Sequence, residues 1–159
     1  MQVKIEGWKA PGANEVEMAT VIALYRHGNA AKVPVEELSA YSARARLTEW
    51  LAVPKTGCLI ARSVTGAVEG LLVLRNEPPA ARVLFVVARE HRHGVGTALL
   101  RGLGEIAGAK GVTEIRTTYA PADARARAFF TKHLGFQEVA AEADAKQVEA
   151  RLPIGAASK

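Results

Sequence analysis

The stretch "VLFVVAREHRHGVGTALLRGLGEIAG", Val83 to Gly108, decides the fold. Its first part is apolar on both faces, as a strand buried in the middle of a sheet must be. A short basic loop with two glycines follows. From Gly94 to Lys110 the pattern is helical, with Val95, Leu99, Leu103 and Ile106 on one face and Gly111 placed as the C-terminal cap. A helix N-terminus leaves backbone N–H groups unpaired and carries partial positive charge. Glycines there let an anion approach the main chain, and Arg89 and Arg92 add to the field. The loop from Glu90 to Thr97 therefore reads as a phosphate cradle. There is no Gly-Lys-Ser/Thr, which excludes a P-loop. Leu99 stands where a dinucleotide fingerprint needs its third glycine, and no acidic ribose partner follows on a second parallel strand, which argues against a Rossmann site.

Working outward, "CLIARS" (Cys58 to Ser63) and "AVEGLLVLR" (Ala67 to Arg75) read as strands joined at Thr65-Gly66. Pro78-Pro79 separates the second from "RVLFVVA" (Arg82 to Ala88). Downstream, "TEIRTTY" (Thr113 to Tyr119) alternates as a strand and Pro121 to Lys132 reads as a helix. "FQEVA" and "QVEARLPI" are closing strands expected to pair. At the other end, "MQVKIEGWKA" is a first strand. Asn14 with Glu17 resembles a capping box, opening a helix that carries Met18, Val21, Ile22 and Tyr25 and ends at Gly28. Pro34 suits the start of a second helix, with Leu38, Tyr41, Ala45 and Trp50 on one face and Pro54 as its stop. The order implies one α/β (α+β) domain over residues 1–154, with residues 155–159 as a loose tail. Its mixed, mostly antiparallel sheet should have about six to seven strands with about four helices. The unit from Arg82 to Tyr119 should hold the only long parallel crossover.

The 159 residues are enough to bury a real core. Cys58 is the only cysteine, so no intrachain disulfide forms and no cysteine metal cluster exists. The N-terminus lacks the apolar core of a signal peptide, and no apolar run approaches the ~20 residues of a membrane span. A cytoplasmic protein with no membrane partner is expected. The net charge of +5 admits an anionic partner. The basic residues are scattered, however, without a basic tail or an aromatic-interleaved basic surface, so no nucleic acid is expected. His91 and His93 lack further clustered ligands, so no metal is expected. His27, His91, His93 and His133 lack the strained nucleophile turn of a Ser-His-Asp hydrolase.

The cradle and its flanks resemble the acyl-CoA loop of the GNAT superfamily of N-acyltransferases, Gln/Arg-x-x-Gly-x-Gly/Ala, placed after a central strand and opening a helix. Gly94 and Gly96 match both glycines, and His91 stands at the first position, or Arg92 in a loop one residue shorter. "DARARAFFTKHLGFQEV" (Asp123 to Val139) resembles the later block, Asn-x-x-Ala-x-x-Phe-Tyr-x-x-x-Gly-Phe. Phe129, Phe130, Gly135 and Phe136 match, Asp123 replaces Asn, and one extra residue sits between Phe130 and Gly135. The resemblance covers Cys58 to Ile154 well and the first 57 residues by element order alone. It implies a splayed central pair of parallel strands. The pantetheine arm would lie in the notch against the backbone of Val86, Val87 and Ala88. The pyrophosphate would rest on Arg92, His93, Gly94, Val95, Gly96 and Thr97, with His91 and Asp123 beside the cofactor and Phe130 packed along the arm. Acetyl-CoA would be the acyl donor.

Amine acylation needs a base for the ammonium, a donor for the thioester oxygen and a fate for the thiolate. A backbone N–H near Val87 is the expected oxyanion donor. The family's usual acid is a tyrosine in the later block, and here Phe130, or Thr131 in an ungapped reading, stands in its place. Tyr119, at the end of the strand flanking the notch, is the substitute candidate. Glu69 and Glu90 are the candidate bases. The expected function is acetyl transfer to a primary amine of a small molecule, peptide or protein. The alternative is an acyl-CoA-binding regulatory module without turnover. The acceptor should be chosen by Tyr25 to Ala52 and the closing strands, a region without the acidic cluster that would announce a polyamine or aminoglycoside. A homodimer is compatible with the sequence.

Overall fold

In a computed structural model, the described residues are 2–9, 15–29, 39–90, 94–139 and 146–154. The elements run in the expected order: β1 (Val3–Gly7), α1 (Glu15–Asn29), α2 (Ala40–Ala52), β2 (Thr56–Ser63), β3 (Val68–Glu77), β4 (Ala80–Ala88), α3 (Val95–Ala109), β5 (Glu114–Tyr119), α4 (Ala124–Arg127), a π-helical segment (Ala128–His133), β6 (Gln137–Glu138) and β7 (Val148–Pro153). The strands form a seven-stranded sheet in the order β1-β2-β3-β4-β5-β7-β6. Every pairing is antiparallel except β4 with β5. That exception follows from the connection, because α3 carries the chain back across the sheet between the two strands.

Two cores form because β2, β3 and β4 bury both faces. On one side Leu59, Leu72, Val83 and Ile115 meet Val95, Leu99 and Leu103 of α3. On the other, Ile60, Leu71, Val73 and Phe85 meet Val21 and Ile22 of α1 and Leu47 of α2. Each such fully buried aliphatic contributes about 1.5–3 kcal/mol. Close approach of α3 is set by two small residues. A Cβ on Gly70 of β3 would stand 2.6 Å from Val95 Cγ1 and 3.0 Å from Leu99 Cδ1, and one on Gly102 would stand 2.7 Å from Ile5 Cγ2.

Three local expectations change. Ile106 is 37% exposed and Ala107 takes its place in the core at 5%. After Leu103 the 3.6-residue period allows either position, and the close packing of α3 on the sheet admits the smaller side chain. On α2 the buried face is Ala43, Leu47 and half-buried Trp50, and Ala45 is exposed. Glu17 pairs with Arg62 of β2 at 2.5 Å and joins α1 to the sheet; its expected partner Asn14 lies outside the described residues. The helix expected from Pro121 to Lys132 is a single α-turn continued by the π-helical segment. Pro34, Leu38, the side chain of Tyr41 and the 155–159 tail also lie outside the described residues.

Candidate active site

The site begins where β4 loses its parallel partner. Pairing with β5 covers Ala80–Val83 against Glu114–Thr117. It ends with Thr117 Oγ1 donating to the Val83 carbonyl at 3.3 Å. Both strands then continue, β4 to Ala88 and β5 to Tyr119, without pairing. The β3–β4 register shifts at the same level, with Val73 opposite Phe85 and Leu74 opposite Val83. This bulge at Leu84 bends β4 away, as an inserted residue does. It also moves the side chains: Val83 lies in the α3 core, Phe85 and Val87 in the α1/α2 core, and Val86 and Ala88 back against α3.

The bulge fixes which backbone groups the split exposes. Arg89 N–H donates to the Glu69 carbonyl at 2.8 Å. Hydrogen-bonded pairs alternate along an antiparallel ladder, so Leu71 and Val87 form the next such pair. Val87 therefore spends its amide on β3, whereas Val86 and Ala88 direct theirs into the split. The amides that face the split near Val87 are thus those of its two neighbours, a parity that the apolar run alone does not reveal.

Beyond β4, Gly94 adopts φ 76° and opens α3. Glycine is favoured there by the left-handed backbone alone, since a Cβ would meet nothing within 4 Å. Ala98 N–H makes the first helical bond, to Gly94 O at 2.9 Å. The amides of Val95, Gly96 and Thr97 precede it and have no helical acceptor. Gly96 serves a second purpose: its absent Cβ would lie 3.1 Å from Phe129 Cζ. His91, Arg92 and His93 lie outside the described residues. Asp123 caps α4, accepting from Ala126 N at 3.1 Å.

Tyr119 and Phe130 are buried together on the α3 side. Their rings are stacked 5.9 Å apart, and Phe130 also meets Phe129 and Phe136 edge-on. The Tyr119 hydroxyl donates to Glu138 Oε2 at 2.6 Å. Arg127 clamps the same carboxylate from Nε at 2.8 Å and Nη2 at 2.7 Å. Burial first, and the Glu138 bond second, push the Tyr119 pKa well above its ordinary value. Thr131 donates its hydroxyl to the Arg127 carbonyl at 2.6 Å.

Glu69 lies on the α1/α2 face at the β3 bulge opposite Ala61/Arg62. It is 9% exposed, and its side chain makes no hydrogen bond among the described residues. Its ion-pair partner is the exposed Arg89, at 3.8 Å. Arg89 in turn lines an open groove of about 430 Å³ with α1 residues that include Leu24 and His27. Glu90 is exposed at the end of β4. Two features escaped sequence reading. One is the Tyr119–Glu138–Arg127 latch, whose members are far apart in sequence. The other is an aromatic trio of Tyr25, Trp50 and Phe85 on the α1/α2 face, with centroids 5.5–6.2 Å apart. Tyr25 and Trp50 lay in the region expected to choose an acceptor, but their meeting with Phe85 depends on the bulge. Among the described residues no cluster of three or more metal-ligand side chains occurs, and no helix is long and apolar enough to cross a membrane.

Residues 21–136, more than half of the chain, match the profile of the Acetyltransferase (GNAT) family. No curated protein matches by sequence. Among solved structures, the chain is similar to the ribosomal-protein-S18-alanine N-acetyltransferase of Escherichia coli (15% identity, TM-score 0.69, 96% of this chain and 94% of that one). It is also similar to the PaiA N-acetyltransferase of Thermoplasma acidophilum in complex with coenzyme A (16%, TM-score 0.68, 96% and 99%). A third is an acetyltransferase of Bacillus subtilis in complex with CoA (16%, TM-score 0.67, 96% and 99%). At these identities the likeness is one of fold.

Proposed function

The chain belongs to the GNAT acetyltransferase family, and from that premise we propose that it transfers an acetyl group from acetyl-CoA to a primary amine at the split between β4 and β5. The observation that carries the reading is the one-sided end of the parallel ladder at Val83–Thr117, followed directly by the α3 N-terminus. The residues present fit the donor. Val86 and Ala88 offer strand-edge amides and carbonyls for the amide groups of a pantetheine arm. Val95, Gly96 and Thr97 offer amides for pyrophosphate oxygens, with the helix dipole behind them. Acetyl-CoA supplies an activated acyl carbon and a stabilised leaving group.

Val86 N–H, near the bulge, donates to the acyl oxygen as negative charge builds there. Glu69 takes the ammonium proton, directly or through water. Its support is its place: a nearly buried carboxylate beside the end of β4, paired only at 3.8 Å with the exposed Arg89 among the described residues. Glu90, by contrast, is exposed. Tyr119 is a positioning group in this reading, because its proton is committed to Glu138. The sulfur leaves unassisted as a thiolate, which a thiol of pKa about 8.5 tolerates, and the second proton of the nitrogen passes to water as the amide forms.

Heat denaturation with acetyl-CoA tests binding, since a ligand at 100 times its Kd adds about 2.7 kcal/mol. Thiol release across an amine panel tests turnover. Acetyl-CoA is expected to raise Tm and at least one amine to release thiol. No Tm shift with any CoA ester would overturn the assignment of the split. A shift without thiol release would favour the regulatory module, the reading that the fully engaged Tyr119 hydroxyl and inert Phe130 support.

A further inference from the structure

Resting on acyl transfer at the split with Glu69 as base, we propose that the acceptor is a free amino acid, whose carboxylate is held by Arg89 while its ammonium faces Glu69. Arg89 follows the last residue of β4, and its main chain is pinned, because its N–H donates to the Glu69 carbonyl at 2.8 Å. Its guanidinium reaches back to the Glu69 carboxylate at 3.8 Å, the two side chains being 58% and 12% exposed. At that distance the charges meet without a hydrogen bond, and a pair whose cation is open to water adds little to stability. A ligand replaces it at small cost. An ammonium alone would reach Glu69 against the repulsion of the guanidinium beside it. An ammonium joined to a carboxylate answers both charges at once, and a carboxylate accepts from the forked N–H groups of an arginine in pairs. The short span between the two protein charges matches an amine and a carboxylate on the same carbon or on adjacent carbons.

The groove that opens at Arg89 gives the rest of the ligand its place. It holds about 430 Å³ between Arg89 and α1, over Ala19, Thr20, Ala23, Leu24 and His27. These α1 positions recur at the spacing of one helix side, and the small side chains at Ala19, Thr20 and Ala23 make the hollow. Thr20 turns its hydroxyl onto its own helix, donating to the Val16 carbonyl at 3.1 Å, and Leu24 is 4% exposed. The α1 wall thus offers methyl and methylene surface to a ligand side chain, and the basic groups of Arg89 and His27 favour an anion. The volume falls within the range of about 300–1,000 Å³ usual for small-molecule sites.

The CoA-saturated protein is titrated by calorimetry with the common L-amino acids and β-alanine, each beside its amide, which keeps the amine and the side chain and removes the negative charge. At least one amino acid should bind about tenfold or more tighter than its amide. In Arg89→Gln that ratio should fall to about one, with the CoA-dependent Tm shift retained, and Arg89→Lys, a charge without the fork, should keep part of the ratio. A purely structural role for Arg89 would weaken acid and amide alike and leave the ratio where it was. No binding of any amino acid, amides that bind as well as the acids, or a ratio unchanged in Arg89→Gln overturns the proposal. Loss of the CoA shift in that variant also overturns it, by placing Arg89 in the donor site. Thiol release separates the two readings. An Arg89-dependent preference without thiol release upholds this site and removes the enzymatic reading. Thiol release from amides or simple amines, with no preference for a carboxylate, does the reverse.

Discussion

Apart from Trp8 and Tyr41, every Trp, Tyr and Phe of the chain falls into one of two clusters, one on each face of the sheet beside the split. On the α3 face, Tyr119, Phe129, Phe130 and Phe136 interlock, and the one hydroxyl among them is held by Glu138 and Arg127. On the α1/α2 face, Tyr25 and Trp50 lean on Phe85 with part of their surface in water. The residue types are nearly the same and the roles differ. What separates a scaffold from a recognition surface is whether ring faces and polar tips are already consumed within the fold. By that measure the α3 face is a scaffold, its four rings closed on one another and its one hydroxyl bound.

The largest effect that would test this division is Phe130→Ala. Phe130 is 5% exposed among three rings, so its truncation should cost about 3–5 kcal/mol in denaturant unfolding. A loss under about 1 kcal/mol would mean the cluster is not the scaffold it resembles. Glu69→Gln, on the other face, should show the opposite signature. kcat should fall by about 10²-fold or more, equivalent to about 2.7 kcal/mol, with Tm nearly unchanged. A small change in kcat would move the base elsewhere.

Gly94→Ala comes next. The φ of 76° is costly for any residue with a Cβ, although space is open. About 1–2 kcal/mol should be lost, and the acetyl-CoA Tm shift should shrink. An undiminished shift would remove this turn from the donor site.

The smallest effect is expected from Tyr119→Phe. Removing one hydrogen bond should cost about 0.5–1.5 kcal/mol, with kcat changed less than about threefold. A loss of 10²-fold in kcat would return Tyr119 to the role of acid. The pH dependence sharpens the comparison. Arg127 first, and Tyr119 second, hold the Glu138 carboxyl below its ordinary value. Its contribution is whole above the unfolded pKa of about 4.3 and is lost as pH falls through the lower folded value. The raised Tyr119 pKa makes a contribution that is whole below about pH 10 and is lost as pH rises through the folded value. In Tyr119→Phe the alkaline loss should be smaller than in wild type, as stability measured across pH 8–11 would show.

The order of elements was legible because it rests on local pattern: the doubly apolar β4, the glycine loop and the alternation of β5; the split was expected only from the family resemblance. The faces of α2 and α3 were legible only to within one residue, since Ala43 rather than Ala45, and Ala107 rather than Ile106, fit the space the sheet leaves. In the site, Gly94 and Gly96 were read only as giving an anion access to the main chain; the left-handed turn at Gly94 and the room that Gly96 leaves for Phe129 were not read. The parity of Val86 and Val87, and the trio built on Phe85, were hidden because a bulge leaves no mark in an unbroken apolar run. The latch was hidden because Tyr119, Arg127 and Glu138 meet only after β5, α4 and β6 are in place.

The widened helical turn from Ala128 to His133 has a consequence for how this chain is counted against its relatives. Counting forward from Asp123, the family's tyrosine position falls on Phe130; counting back from Gly135, it falls on Thr131. The two rulers disagree by one because a π-turn houses an additional residue within one circuit of the helix. Both answers hold, as two adjacent residues share a place that one occupies elsewhere. The inward half of that place went to a ring that stacks on Tyr119, and the outward half to a hydroxyl turned back on Arg127. A single tyrosine would combine ring and hydroxyl in one side chain. Here the two have been divided between neighbours: the ring carries no acidic proton, and the hydroxyl gives its own to the Arg127 carbonyl.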